Sequence, residues 1–465
     1  MTDIQQESFY RKLIRLVLPI AVQNLFTALV SAADTIMLSM LPVQPDELET
    51  VVAAVNAATR VSFVVNFIII FGITAGISVM AAQYWGKGDR NTVERVQCIA
   101  LRYTVSMTFA VFLLCLICPE WLIRLFTQDQ GIIEKGADYL RIVCPSYLFL
   151  GVSQVFLTIM KNTGRVLRSS IYSTTKVVLN IILNYLLIFN ILGLEKFSGI
   201  SGAALATSIA CGVELILCVY ENFRQRDVRF RPSLLVAKSP RLHREFWRYT
   251  WPLLANTIAW GGGTTMFTAI LGQYDEAISK ALLSALAISN IVKDCCDCLG
   301  SGIATGAAIM LGNQLGRNEL DQARADGRRF VRLSLVVGVA SGLVLLAVSG
   351  LVTDGVNLEK DAKDYLKVML YISSYYMIGR VLNTMLINGI FSAGGDTKFG
   401  FWCDLANLWG VIIPAAILAA SVLSLPPMWV YFILYLDEFT KIPVEYIHYK
   451  KYRWLRNITM DAQQS

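Results

Sequence analysis

The sequence predicts an all-α integral membrane protein, with twelve transmembrane helices in two pseudo-symmetric six-helix lobes. Three observations carry that expectation. Apolar stretches of about 20 residues, enough to cross a bilayer as helix, recur from end to end, and the alternation over about ten residues that marks barrel strands is absent. Of the 465 residues, 55% are hydrophobic and 16% charged, against about 25% charged in a soluble chain. Basic residues also gather in alternate loops, as a multi-span topology requires.

The spans fall near residues 13–40, 50–84, 94–118, 134–160, 168–192, 199–222, 246–273, 280–315, 325–352, 361–390, 397–421 and 426–449. The first carries a carboxylate, Asp34, far from either end, and an acid in hydrocarbon is a functional-site hypothesis by default. At ~100° per residue, Gln23, Asn24, Thr27, Ser31, Asp34 and Thr35 fall on one stripe of about 120°. Pro19 on the same helix removes a backbone donor and favours a bend. Arg11, Lys12 and Arg15, the apolar run and Ser31-Ala32-Ala33 imitate a signal peptide. Gln23, Asn24 and Thr27 interrupt that run, and a related segment recurs mid-chain, so the first helix is expected to be retained. The second and eighth spans are long, which predicts tilt or protrusion.

Arg11, Lys12 and Arg15 precede the first span, Lys87, Arg90 and Arg95 follow the second, and Lys161, Arg165 and Arg168 follow the fourth. A basic segment from Arg224 to Arg244 follows the sixth span, Arg317, Arg324, Arg328 and Arg329 follow the eighth, and Lys450, Lys451, Arg453 and Arg456 follow the last. Opposite loops hold Asp46, Glu47, Glu49, Asp275, Glu276, Asp354, Glu359 and Asp361. The positive-inside rule then puts both termini in the cytoplasm of a plasma (inner) membrane protein. The net charge of +7 therefore records topology and not a nucleic-acid partner.

The chain repeats itself. Trp251 to Asn256 echoes Leu18 to Asn24, aligning Pro252 with Pro19; Gly72, Gly76 and Gly86 align with Gly302, Gly306 and Gly316; Asn162-Thr163-Gly164 answers Ala393-Gly394-Gly395. Six helices per repeat preserve orientation, giving a parallel repeat about an axis along the membrane normal. The expected divisions are an N-lobe at 1–222, a basic cytoplasmic linker at 223–245, a C-lobe at 246–449 and a cytoplasmic tail at 450–465.

Taken together, Pro19 with Asp34-Thr35, Asn180-Ile181-Ile182-Leu183-Asn184, Gly199 to Thr207, Leu311 to Gly316 and Ala393 to Lys398 resemble the multidrug and toxic compound extrusion transporters, of bacterial type. The resemblance runs through essentially all twelve spans. It implies a V-shaped pair of lobes and efflux of organic, often cationic, compounds driven by inward protons or sodium. Two positions depart from the pattern: Trp260 stands where some branches place an acid on the seventh helix, and Asn184 where others carry an aspartate on the fifth. The coupling acid is carried over to Asp34, with sodium as a possible occupant.

Other candidates come from the residues themselves. Lys176, Asn180 and Asn184 repeat at i, i+4 and i+8 on one face of the fifth helix, where asparagine carbonyls can ligate sodium or accept a proton-linked hydrogen bond. Lys176 is expected to snorkel to the cytoplasmic end. Glu214 is read as a second proton stop or a partner for Lys176. Gln23, Asn24, Thr27, Asn56 and Arg60 are assigned to a substrate cavity, Arg60 also as a counter-charge for Asp34. In the second half Asp294, Asp297 and Arg380 join that assignment, although pairing among Lys293, Asp294 and Asp297, or between Glu438 and Lys441, is the blander expectation. Pro19 and Pro252 are the expected hinges, with Gly262-Gly263 as another.

The expectation is a secondary antiporter exporting a small organic substrate in exchange for protons or sodium, embedded in the lipid bilayer as a monomer, with no cofactor. A flippase for a lipid-linked or polyanionic substrate is the alternative; it would need a basic cavity, and the intramembrane bases here are interleaved with acids. An enzyme is not expected, since HExxH, GxxxxGK[ST] and GxSxG are all missing. Metal or disulfide chemistry is not expected of the ten cysteines, which sit almost wholly in apolar segments.

Overall fold

The computed structural model describes residues 9–40, 45–66, 72–191, 193–194, 198–225, 227–237, 239–356 and 358–460; the side chains of 29–36, 38–39 and 45–49 lie outside that description. The described residues form helices and no strand. In order they are α1 (Phe9–Ser39), α2 (Pro45–Val65), α3 (Thr74–Lys87), α4 (Arg90–Ile117), α5 (Pro119–Arg124), α6 (Gln130–Asn162), α7 (Val166–Ile188), α8 (Gly199–Arg224) and α9 (Pro232–Val236). Then follow α10 (Pro240–Gly272), α11 (Glu276–Gly316), α12 (Leu320–Gly355), α13 (Lys360–Thr384), α14 (Thr397–Asn407), α15 (Ile413–Ile417), α16 (Pro427–Tyr435), α17 (Asp437–Thr440) and α18 (Ile442–Lys450). Wider π-type turns at Met385–Phe391, Leu408–Ile412 and Leu418–Val422 extend or join these helices.

Seven of these stretches are long and apolar enough to cross a membrane: α4, α6, α7, α8, α11, α12 and Thr397–Val422. Several of the other helices are short, carry charge or are interrupted. α13 holds Asp361, Lys363, Asp364 and Lys367 in its first turns, and the segment from Pro427 to Lys450 breaks at Leu436 and again at Lys441.

Local chemistry sets the ends. The Asp129 carboxylate accepts from the Gly131 and Ile132 amides at 2.8 and 3.1 Å, capping α6, and Asp89 accepts from Thr92 at 3.0 Å to cap α4. The repeated Asn162-Thr163-Gly164 and Ala393-Gly394-Gly395 motifs close their helices alike. Gly164 and Gly395 take φ of +81° and +73°, and the next amide (Arg165, Asp396) donates to the carbonyl five residues back (Met160, Phe391) at 2.9 Å. Glycine adopts that backbone with the least strain, and asparagine also tolerates it, as Asn318 does at φ +64° in the same turn.

The chain packs as two compact units. The first comprises Leu25–Ala81 and Asp89–Thr250. Here α6 is central, packed by α8, α4, α2 and α5, around buried Val61, Ile123, Leu140, Val143, Tyr147 and Ala204. Ser62 and Tyr147 hydroxyls meet at 2.6 Å, satisfying a buried phenol. The basic segment 223–245 is docked onto this unit. Buried Glu94 on α4 accepts from the Arg229 amide at 2.9 Å and pairs with Arg231 at 3.0 Å, while Asp227 pairs with Arg165 at 2.9 Å and Arg90 at 3.0 Å.

The second unit comprises Met1–Asn24, Ala82–Gly88 and Trp251–Ser465. Its longest helix, α11, packs on α12 and α13. Small residues allow close crossings: Gly302 and Gly306 face Ala21 and Val17 of α1, while the ends of α3 and α11 meet through Gly86 against Asn313 and Gly316 against Gln83. Gly262 and Gly263 of α10 admit Trp409 and Leu408 closely against the helix. Residues after α18 are packed as well. Trp454 is fully buried beside Phe330 and Tyr449, and the Gln83 amide donates to Ala393 at 2.6 Å and accepts from the Ile458 amide at 2.9 Å.

Candidate functional site

Asp34 lies in α1 by its backbone, but its side chain falls outside the described residues, as do those of Ser31 and Thr35. Of the other stripe residues, Gln23 is buried, Asn24 donates to Ser301 at 3.1 Å, and Thr27 is exposed. Asn56 and Arg60 are exposed one turn apart on α2. Pro19 and Pro252 sit inside α1 and α10.

Within the first unit the polar candidates of α7 and α8 do meet. Asn184 donates to the Asn180 side chain at 3.3 Å, and Asn180 donates to Thr207 at 3.3 Å; both asparagines are buried. Two turns toward the start of α7, Ser173 donates to Glu214 at 3.1 Å and Lys176 pairs with Glu214 at 3.2 Å. The pairing is the one expected of Glu214 as a partner for Lys176: Glu214 is fully buried, and the lysine bridges it while its own side chain stays 19% exposed. Spacing alone placed the asparagines and the lysine on one face. Glu221, two turns further on, was not singled out; it binds Arg168, Arg165 and Tyr172.

In the second unit, candidates scattered over the sequence converge into one chain of charge. Asp297 on α11 is 3.7 Å from Arg380 on α13, and Arg380 is 3.3 Å from Glu438 on α17. Glu438 in turn is 3.0 Å from Lys441, whose ammonium also reaches Asp404 of α14 at 2.8 Å and Asp437 at 3.5 Å. Amides complete the shell: Asn383 donates to Glu438 at 2.8 Å, Asn256 to Asp404 at 2.9 Å and Asn407 to Asp437 at 2.8 Å. The Arg380 guanidinium lies 4.8 Å from the Trp260 ring centre, so the residue standing in place of an acid on α10 contributes a π-face to a cation instead. Same-helix pairing holds for Glu438 and Lys441. It fails for Lys293 with Asp294: consecutive helical positions point ~100° apart, and Lys293 is buried among Tyr435, Tyr376 and Tyr431, at 4.0, 5.8 and 5.9 Å from their ring centres, while Asp294 is exposed. Asp404, Asp437 and Glu445 were not singled out in the sequence. Their position as acids inside apolar spans was the available signal.

The described residues hold no group of three or more His, Cys, Asp or Glu arranged for a metal ion. What the second unit offers is a buried, hydrogen-bonded array of carboxylates around two cations. In low-dielectric surroundings any change in the charge count of such an array is costly, so its members are tied to one another.

Comparison with known proteins bears on the fold and the family. The family model MatE matches residues 19–186 and 252–434. A Bacillus subtilis protein named as an uncharacterized transporter, YisQ, is 23% identical over 94% of this chain and 93% of its own. A Burkholderia pseudomallei protein named as a probable multidrug resistance protein, NorM, is 26% identical over 86% of this chain and 84% of its own. Among solved structures, a MOP superfamily transporter from Pyrococcus furiosus superposes with a TM-score of 0.84 at 17% identity, covering 95% of each chain, which establishes a shared fold. Because the family model covers most of both sequence repeats, with helices long and apolar enough to span a bilayer beneath it, the chain belongs to the MatE family of multi-pass membrane transporters.

Proposed function

We propose that the protein is a secondary antiporter that exports organic, often cationic, drugs or toxic metabolites in exchange for protons or sodium. The family match across both repeats is the observation that supports this most directly. In this reading twelve spans form two lobes of six, both termini lie in the cytoplasm, and the protein works as a monomer in the plasma membrane. Asp34 takes up a proton or sodium from outside, with Asn180, Asn184 and Glu214 as further ion-coupling groups. Gln23, Asn24, Thr27, Asn56, Arg60, Asp294, Asp297 and Arg380 line the substrate path, and bending at Pro19, with Pro252 as its counterpart, converts ion binding into substrate release. With ~1.4 kcal/mol per tenfold gradient and ~2.3 kcal/mol per 100 mV, one or two ions suffice to concentrate a substrate outside by severalfold to about a hundredfold.

The test is ethidium efflux from proteoliposomes under an imposed pH gradient and, separately, an imposed sodium gradient. Efflux driven by one gradient supports the reading and names the ion; no efflux under either refutes it. Asp34→Asn is expected to abolish gradient-driven efflux with expression intact, and retained transport would contradict the role given to Asp34.

A further inference from the structure

One carboxylate of the second unit stands apart from the rest. Glu445 is fully buried, and neither of its oxygens has a hydrogen-bond partner among the described residues. Its amide donates to the Lys441 carbonyl at 3.0 Å, so the two side chains share one face of the helix. Its electrostatic neighbours are Lys441, Asp404, Glu438 and Asp437. Lys441 is already engaged by three other carboxylates, at 2.8, 3.0 and 3.5 Å. Further along are Arg380 and Tyr376 of α13, Cys403 of α14 beside Glu445, and His448, which pairs with Asp396 at 2.6 Å. The π-type turn Met385–Phe391, also packed on α18, contributes no titratable side chain.

Counting the chain from Asp297 through Arg380, Glu438, Lys441, Asp404 and Asp437 to Glu445 gives five carboxylates against two cations. A buried ionised carboxylate without a donor is too costly to persist, whereas a neutral carboxyl in the same place needs no counter-charge. A second feature lies at the same point. The helical segment breaks between α17 and α18 at Lys441, and Pro443 two residues on lacks the amide that would bridge the break. Broken helices inside membranes are tolerated where they serve a buried polar site.

We propose that the Glu445 carboxyl is a proton-binding site of the second unit, filled while Lys441 is held by Asp404, Asp437 and Glu438 and emptied when Lys441 turns to it at the α17–α18 break. The proton joins one Glu445 oxygen, and on release it passes to one of the carboxylates that Lys441 has left, Asp404, Asp437 or Glu438, while Arg380 stays a fixed cation beside Glu438 and Asp297. As a second coupling site this rests on the antiport reading; as a proton site it does not.

Infrared difference spectra of the full chain in lipid nanodiscs, between acidic and alkaline buffer, test it. The wild type should show the carbonyl stretch of a neutral carboxylic acid, shifted in heavy water. Glu445→Gln should lose that band, Glu445→Asp should move it, and Asp34→Asn should keep it; elution as a single species in size exclusion checks that each variant is folded. A band unchanged in Glu445→Gln overturns the proposal. So does a band removed by sodium at fixed pH, which would make the site one for a metal cation. In proteoliposomes, ethidium efflux by Glu445→Gln should lose its dependence on the imposed pH gradient, and wild-type dependence in that variant would overturn the coupling role. If the wild type moves no ethidium under either gradient while the band behaves as expected, the antiport reading fails and the proton site stands.

Discussion

Lys441 gives the sharpest stability test. Its side chain is 4% exposed, and its ammonium sits 2.8, 3.0 and 3.5 Å from Asp404, Glu438 and Asp437. Lys441→Met keeps the length and apolar stem of the side chain and removes the charge alone. Three carboxylates then share the amides of Asn256, Asn383 and Asn407 and the single guanidinium of Arg380. Removing one partner from a buried ion pair costs about 3–5 kcal/mol, since the other charge is left unpaired. With unfolding entropy of about 2.1 cal/mol/K per residue, a chain of this length loses roughly 1 °C per kcal/mol, so the midpoint should fall by about 3–5 °C. Thermal unfolding of the detergent-purified protein, read by a fluorophore that reacts with newly exposed thiols, measures this directly; Cys115, Cys144 and Cys298 are buried and free in the folded chain. Lys441→Met combined with Asp404→Asn should recover part of the loss, because the second change removes one stranded anion. A midpoint for Lys441→Met indistinguishable from wild type, or a double variant worse than the sum of its parts, would refute the charge accounting.

Other expectations follow from packing and docking. Gly316→Val should destabilise by about 1–3 kcal/mol or abolish assembly, since any side chain there meets the Gln83 carbonyl, while Gly350→Ala on α12, with open space around it, should melt like wild type. Trp454→Ala should cost about 3–5 kcal/mol by emptying a fully buried site, again as a lowered melting midpoint. Glu94→Gln weakens the anchor for Arg231 and the Arg229 amide, so trypsin should cut the 227–241 segment faster than in wild type with no change in the membrane-embedded fragments.

Hydropathy located the helices because each span must satisfy its backbone internally, and that requirement leaves a continuous apolar signal: α6 covers 130–162 where 134–160 was expected, and α8 covers 199–224 against 199–222. Contacts along one helix were legible too. Asn180 and Asn184, four apart, are hydrogen-bonded at 3.3 Å, and Glu438 and Lys441, three apart, are paired at 3.0 Å. Partnerships between helices were not, because periodicity fixes a face and not what stands opposite. Asp404 and Lys441 are separated by 37 residues, and Asp297 and Arg380 by 83, counted along the chain. The segment 223–245 and the residues after Lys450 were read as linker and tail on their charge. Charge says that a stretch reaches water, but it is silent on buried anchors such as Glu94 and Trp454, which dock those stretches against helices.

The docking of the last residues has a consequence for how the molecule is made. Gln83 is translated more than 300 residues before the carbonyl of Ala393 and the amide of Ile458 that satisfy it. A ribosome that stalls or terminates early therefore leaves a membrane-inserted product with a polar group stranded in its interior and a hole where Trp454 belongs. Deleting the residues after α18 should therefore lower stability by more than their small number suggests, since they fill and satisfy the interior around Gln83 and Trp454.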